Sequence, residues 1–315
     1  MTLLLTGSDV AELLTLDDCI AAVEEAFRAH GEGRLHPPGI LSEHGSRGAF
    51  HIKTATVGER FGAKANANFP ANPATNGLPS IQGAMLLFDA NDGRILAVMD
   101  SIELTILRTG AASAVAAKYL ARRESRTAMV YGAGKQGRVQ LEAISRVLPI
   151  DRAFVHDVDA AKARGYAEEM SAKLKIEVTP EVRDDCDVVI TCTPSKLAFL
   201  TRGAPFVAAV GADNPAKSEI APQLMRASRV VADIVEQCAE IGDLRVAIAS
   251  GAMSRDDVHA ELGQIVAGAK RGREHDDEQF IFDSTGAGFQ DTAAASIAYD
   301  RAVAQKRGLE VNLGR

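Results

Sequence analysis

The segment Val130-Tyr131-Gly132-Ala133-Gly134-Lys135-Gln136-Gly137 constrains the fold more than any other part of the chain. An apolar run leads into it and a helical pattern follows. In that setting each glycine has its own task. Gly132 permits the tight turn, Gly134 lets backbone approach a pyrophosphate, and Gly137 lets helix and strand pack closely. The helix N-terminus then offers N–H groups and a positive dipole to the anion, so Lys135 and Gln136 are candidate contacts too. The next strand-like run ends at Asp157, 20 residues past Gly137, where an acidic side chain would bind the adenosine ribose hydroxyls. Three glycines alone also describe a plain tight turn. The strand, helix and acid around them favour a dinucleotide site. Asp157 would repel a 2′-phosphate, so NAD(H) is expected over NADP(H).

Strand-like runs at 127–131, 152–157, 187–192, 206–210 and 229–234 alternate with helical stretches. That alternation marks a parallel, doubly wound α/β sheet. Ligands in such sheets bind at the carboxyl ends of strands. Thr193, after Cys192, and Asp213, after Val210, stand at such ends; Thr193-Pro194 is equally open to reading as a helix or turn start. A chain of 315 residues suggests two domains, and a charge cluster, Arg122-Arg123-Glu124-Ser125-Arg126, precedes the first run.

A net charge of -7 argues against nucleic acid as a partner. It leaves room for an acidic small substrate in a local cationic pocket. Cys19, Cys186, Cys192 and Cys238 show no CxxC spacing and no zinc pattern, so no metal is implied and all four read as buried or half-buried thiols. That suits a reducing, cytoplasmic compartment. Met1-Thr2-Leu3-Leu4-Leu5 lacks the basic start of a signal peptide, and no apolar run approaches the ~20 residues of a membrane span.

The first half reads as a short strand at 3–6, a brief helix capped by Ser8-Asp9, and a helix from Leu16 to about His30 with Ile20, Val23 and Phe27 at helical spacing. Loop and strand follow over 34–56. Strands near 81–89 and 94–99 are joined by Asn91-Asp92-Gly93, a hairpin turn. An Ala-rich helix covers about 102–122. Two cations stand out within it and before it. Lys64 lies among small and apolar residues at the end of a strand, and Arg108 lies in an otherwise apolar helix. Each must face a partner or a ligand; on composition alone, snorkelling or a structural ion pair explains them as well.

The ordered motifs decide more. They are Lys64-Ala-Asn-Ala-Asn-Phe-Pro-Ala-Asn72-Pro, Gly77-Leu-Pro79, Ala97-Val-Met-Asp100, Leu107-Arg-Thr-Gly-Ala-Ala112 and Ala117-Lys-Tyr-Leu-Ala121. Gly132-Ala-Gly-Lys-Gln-Gly137, Gly211-Ala-Asp213, Phe282-Asp-Ser284-Thr-Gly286 and Gln290-Asp291 follow. Together they resemble the ornithine cyclodeaminase/mu-crystallin family, with its archaeal alanine dehydrogenases, over nearly the whole length. The resemblance implies a Rossmann domain, 121–290, inserted into a mixed α/β substrate-binding and dimerisation domain, 1–120 plus 291–315. The helix after Asp291 would return to pack on the first half, and a homodimer is expected.

Carried over by position, Arg108 resembles the arginine that grips the substrate carboxylate. Lys64 resembles the lysine beside the reacting carbon, and Asp213 the aspartate facing the nicotinamide. Ser284 joins the cofactor-binding set. Two departures bear on the substrate. Pro37-Pro38 is followed by Gly39 where cyclodeaminases of the family carry a cation, and His51 stands where they carry a carboxylate. In a strand, His51 and Lys53 would share one face; both also read as solvated strand residues. The resemblance therefore implies an NAD(H)-dependent imine reductase or amino acid dehydrogenase on a small amino or imino acid, sharpest as iminosuccinate to L-aspartate. Cyclodeamination of ornithine, reduction of a cyclic ketimine, and a non-catalytic dinucleotide-gated binder like mu-crystallin are the alternatives.

Overall fold

The computed structural model describes residues 1–313. Thr6 opens the first helix: its side chain accepts the Asp9 N–H while Asp9 caps the Thr6 N–H, a reciprocal box. The cap is therefore Thr6, with Asp9 as its third-position partner, and not Ser8-Asp9, which lies inside the helix. The N-terminal stretch forms β1 (Thr2–Leu5), α1 (Gly7–Leu13), α2 (Leu16–Gly31), β2 (Gly39–His44), β3 (Ala49–Val57), β4 (Arg60–Asn68), α3 (Asn72–Thr75), β5 (Ile81–Asp89), β6 (Ile95–Asp100) and α4 (Ile102–Leu120). Next come β7 (Thr127–Tyr131), α5 (Lys135–Val147), β8 (Arg152–His156), α6 (Ala160–Leu174), β9 (Glu177–Thr179), β10 (Val188–Thr191), β11 (Phe206–Ala209) and α7 (Pro222–Ala227). The chain continues through β12 (Arg229–Ala232), α8 (Val235–Ile241), α9 (Asp243–Ala249), β13 (Ala260–Glu261), α10 (Leu262–Val266), β14 (Phe280–Asp283), α11 (Gly288–Gln305) and β15 (Leu309–Val311).

Two compact units result: Met1–Arg108 with Ala287–Arg315, and Thr109–Gly286. These borders differ from the sequence expectation of 120/121 and 290/291. The charge cluster at 122–126 marks where α4 ends, whereas the division falls within that helix. At the other border, α11 begins at Gly288 and packs on β3, β4 and α2 from its start, so the border precedes the helix.

The first unit is a seven-stranded sheet in the order β15-β1-β6-β5-β4-β3-β2. Strand alternation gives it two different faces. Lys53 pairs with Lys64 and Lys64 with Met85, while His51 pairs with Asn66 and Asn66 with Gly83, which puts these residues on one face. The other face carries Leu41, Phe50 and Ile52, which are 61%, 54% and 36% exposed.

The second unit is an eight-stranded sheet in the order β13-β12-β14-β11-β10-β7-β8-β9, parallel at every pairing. Parallel sheets are covered on both faces, so their strands are continuous apolar runs; every residue of β10, β11 and β14 is buried. Strand order reverses between β7 and β10, which makes the crevice at their carboxyl ends the expected ligand position. β14 occupies a central place between β11 and β12, although three apolar residues followed by Asp283 carry no periodicity that would announce a strand.

Candidate active-site residues

In the second unit the glycine turn has the geometry that its residues require. Gly132 has φ +109, a backbone conformation that side chains with a Cβ rarely adopt. A Cβ on Gly137 would lie 2.1 Å from the Gly132 carbonyl oxygen. Gly134 is the N-cap of α5, and nothing stands within 4 Å of where its Cβ would be. The open space lies at the helix terminus whose leading N–H groups have no intrahelical acceptor. Asp157 closes the turn: one carboxylate oxygen accepts the Ala133 N–H at 2.9 Å, the other the Asp159 N–H at 2.9 Å. These residues fit a dinucleotide pyrophosphate and its adjacent ribose.

In the first unit, three cations converge with one carboxylate. Lys64 Nζ lies 2.7 Å from Asp291 Oδ1 and donates to Thr105 Oγ1 at 3.2 Å. Arg108 Nε donates to the same Asp291 oxygen at 2.9 Å, and its Nη1 donates to Gln290 Oε1 at 3.1 Å. Lys64, Arg108 and Asp291 are all buried. Lys53 is the cross-strand partner of Lys64. Burial lowers Lys64 from its ordinary 10.5 to about 7, the Arg108 charge adds to that, and Asp291 opposes it. Burial pushes Asp291 upward, but Arg108 and Lys64 outweigh it and hold the carboxyl below its usual range. The patch thus pairs a lysine able to exchange a proton near neutral pH with a fixed guanidinium.

The sequence matches the ornithine cyclodeaminase/mu-crystallin family over residues 1–306. The chain belongs to this family. Among solved structures, it is similar to an archaeal alanine dehydrogenase dimer with bound NAD, at 35% identity, with 99% of each chain covered and a TM-score of 0.96. It is similar to the Δ1-pyrroline-2-carboxylate reductase of Thermococcus litoralis in complex with NADH and L-proline, at 33% identity, 98% and 100% coverage and a TM-score of 0.93. The iminosuccinate reductase of Paracoccus denitrificans in complex with NAD+ matches at 30% identity, 99% coverage of both chains and a TM-score of 0.89. The α/β architecture expected from the family motifs is the one observed.

The family's positions fall into the two units as follows. Lys64, Lys53 and His51 share one face of the seven-stranded sheet, as strand parity requires, and Arg108, on α4, joins Lys64 there through Asp291. His51 Nδ1 lies 2.8 Å from Ser42 Oγ, and its ring meets His44 edge-on. Gly132, Gly134, Lys135, Gln136, Gly137 and Asp157 form the glycine turn of the other unit. Asp213 follows β11, exposed, and accepts from Lys217 Nζ at 2.7 Å. Thr193 and Ser284 follow β10 and β14, yet their hydroxyls are directed at protein carboxylates: Thr193 Oγ1 donates to Glu219 at 2.7 Å and Ser284 Oγ to Asp233 at 3.3 Å.

Sequence reasoning gave no role to Asp291, Gln290 and Glu219. Asp291 carried the same signal as Arg108, a charge within a small and apolar helical stretch. Glu219 carried none, since a lone glutamate after Ser218 looks like any surface residue.

Proposed function

We propose that this chain is an NAD(H)-dependent imine reductase or amino acid dehydrogenase whose substrate is a small imino acid with a second carboxylate, iminosuccinate being the specific form. The supporting observation is the charge balance of the patch: Lys53, Lys64 and Arg108 gather around one carboxylate, Asp291. A dianionic substrate suits that surplus, whereas the second amine of a diamine would add to it. His51, standing where a carboxylate would serve a diamine, supports the same choice.

In the reductive direction, NAD(H) supplies the hydride that the imine carbon takes up. Arg108 holds the α-carboxylate, and a planar fork suits a carboxylate. Lys53 and His51 face the second carboxylate. Lys64, titrating near neutrality, delivers a proton to the substrate nitrogen. Asp213 stabilises the iminium charge or exchanges that proton. Asp157 and Asp159 place negative charge at the ribose end and favour NAD(H) over its 2′-phosphorylated counterpart. The apolar sheet face of Leu41, Phe50 and Ile52 suits a second copy of the chain, and the homodimer would sediment at twice 33.3 kDa; a 33.3 kDa species at working concentration would exclude it.

The test follows NADH absorbance with three substrates: oxaloacetate plus ammonia, pyruvate plus ammonia, and pyrroline-2-carboxylate. Oxaloacetate plus ammonia is expected to lead the others by about tenfold or more in kcat/KM, the effect of ~1.4 kcal/mol from one added charge contact. NADPH is expected to serve about tenfold less well than NADH, by the same arithmetic. Fastest turnover of pyrroline-2-carboxylate would overturn the substrate. Ammonia release from ornithine without net cofactor turnover would overturn the reaction class. NADH binding with no turnover of any candidate would favour the pure binder.

A further inference from the structure

The loops after β10 and β11 are joined by a single buried side chain. Glu219 Oε1 accepts the Thr193 N–H at 2.6 Å and the Thr193 hydroxyl at 2.7 Å, while Oε2 accepts the Gly211 N–H at 2.9 Å. The fit against Gly211 leaves no room for a side chain, because a Cβ there would lie 2.4 Å from the Glu219 carboxyl carbon. Glu219 is itself held by backbone. Its N–H and that of Ile220 donate to Asp243 Oδ1 at 2.8 and 3.1 Å. Its carbonyl accepts the Phe199 and Leu200 N–H groups at 3.0 and 2.9 Å. Asp243 sits one layer below, on α9, beside Asp283, whose carboxylate accepts the Leu244 N–H at 2.8 Å. Buried carboxylates thus tie the strand-end loops to one another.

We propose that Glu219 is a positioning residue for the dinucleotide: its carboxylate sets the Thr193 loop and the Gly211–Asp213 turn in the geometry that binds the nicotinamide end. The proposal rests on the functional reading above, in which both loops serve the bound NAD(H). Asp213 depends on the same anchor, since its N–H donates to the Gly211 carbonyl at 3.1 Å. A neutral isostere does not substitute. Three donors converge on the two oxygens, and only the anion offers acceptors to all of them. A protonated carboxyl, or an amide, turns one donor against another and leaves a buried N–H or O–H unsatisfied.

The charged and titratable groups around it are Asp243 and Arg245 of α9 and the half-buried Cys192 thiol just after β10. Burial raises Glu219 to about 7 against the opposing Thr193 bonds, and Asp243 adds to the rise. The anchor is therefore complete above that pH and loosened below it.

The experiment is a titration of NADH fluorescence with wild type and Glu219→Gln at several pH values, in a chain with 0 tryptophans and so no indole signal beneath it. Wild-type affinity is expected to fall by up to about tenfold per pH unit below neutrality, the limit for one linked proton. Glu219→Gln is expected to bind at least about tenfold more weakly at pH ~8, with a flat pH profile. A variant matching wild type in affinity and profile would overturn the proposal, as would pH-independent binding by the wild type. Where the variant does not fold, hydrogen exchange on the wild type decides. Protection of the Thr193 and Gly211 amides falls, relative to intrinsic rates, as pH drops from about 8 to about 6; constant protection refutes the anchor. A wild type that binds no NADH at all would instead refute the functional reading.

Discussion

An Asp291→Asn chain is expected to lose about 3–5 kcal/mol of folding stability, the usual cost of removing one member of a buried ion pair. Lys64 and Arg108 both donate to the same Asp291 oxygen, and all three side chains are buried. Asparagine keeps the shape but leaves two cations with no counter-charge. The measurement is the midpoint of denaturant unfolding, and an unchanged midpoint would show that the triad is not coupled. A Lys64→Met change placed on top of Asp291→Asn should return part of the loss, because one uncompensated charge disappears; a double-mutant cycle isolates that term. The triad contributes two limbs to the pH dependence of the wild type. Asp291 is held below the usual carboxylate range, so its contribution is present above that range and is lost as pH falls through the lowered value. Lys64 is lowered from 10.5 to about 7, so between those values the unfolded chain holds a proton that the folded one has released, and stability rises with pH. Asp291→Asn should remove this residue's share of the acid limb and start the Lys64 limb at lower pH.

Gly137→Ala should abolish NADH binding and unfold or distort its unit, whereas Gly134→Ala should abolish binding in a chain that melts like the wild type. The contrast follows from what each new methyl group meets. At 137 it lies 2.1 Å from a backbone oxygen of Gly132, and the turn cannot hold. At 134 it projects into open space at a φ of -84, a conformation any residue adopts. That space is where the pyrophosphate is proposed to lie. A loss of about 100-fold or more in NADH affinity, ~2.7 kcal/mol, with an unshifted melting temperature is the expected result for Gly134→Ala. Wild-type affinity in that variant would remove the pyrophosphate from the turn.

The parallel sheet was legible because its strands are long enough runs between helices of recognisable period, and because the glycine turn leaves few alternatives. β14 was not, because it follows a polar loop instead of a helix and ends in Asp283, and its central position comes only from pairing with β11 and β12. The face shared by His51, Lys53 and Lys64 was half-legible. Strand parity placed His51 beside Lys53, but the pairing of Lys53 with Lys64 depends on the β3–β4 register, which is fixed by a two-residue turn at Gly58-Glu59. Long-range contacts were the least legible. Asp291 reaches Lys64 across 227 positions of chain, and no local pattern reports such a distance. Thr193 shows the same limit: its place after a strand marked it as a ligand contact, while its hydroxyl is committed to Glu219, 26 positions away.

The seven-stranded sheet takes strands from both ends of the chain, and the buried cations Lys64 and Arg108 find a shared counter-charge on α11. During synthesis on the ribosome, residues 109–286 emerge as a complete unit while the earlier half still lacks its covering helix and its last edge strand. Domains tend to fold as they appear, so the later-made unit is expected to mature first. Until the final helix leaves the exit tunnel, the nascent N-terminal sheet would present unpaired lysine and arginine on a half-built apolar surface, the kind of intermediate that chaperones hold.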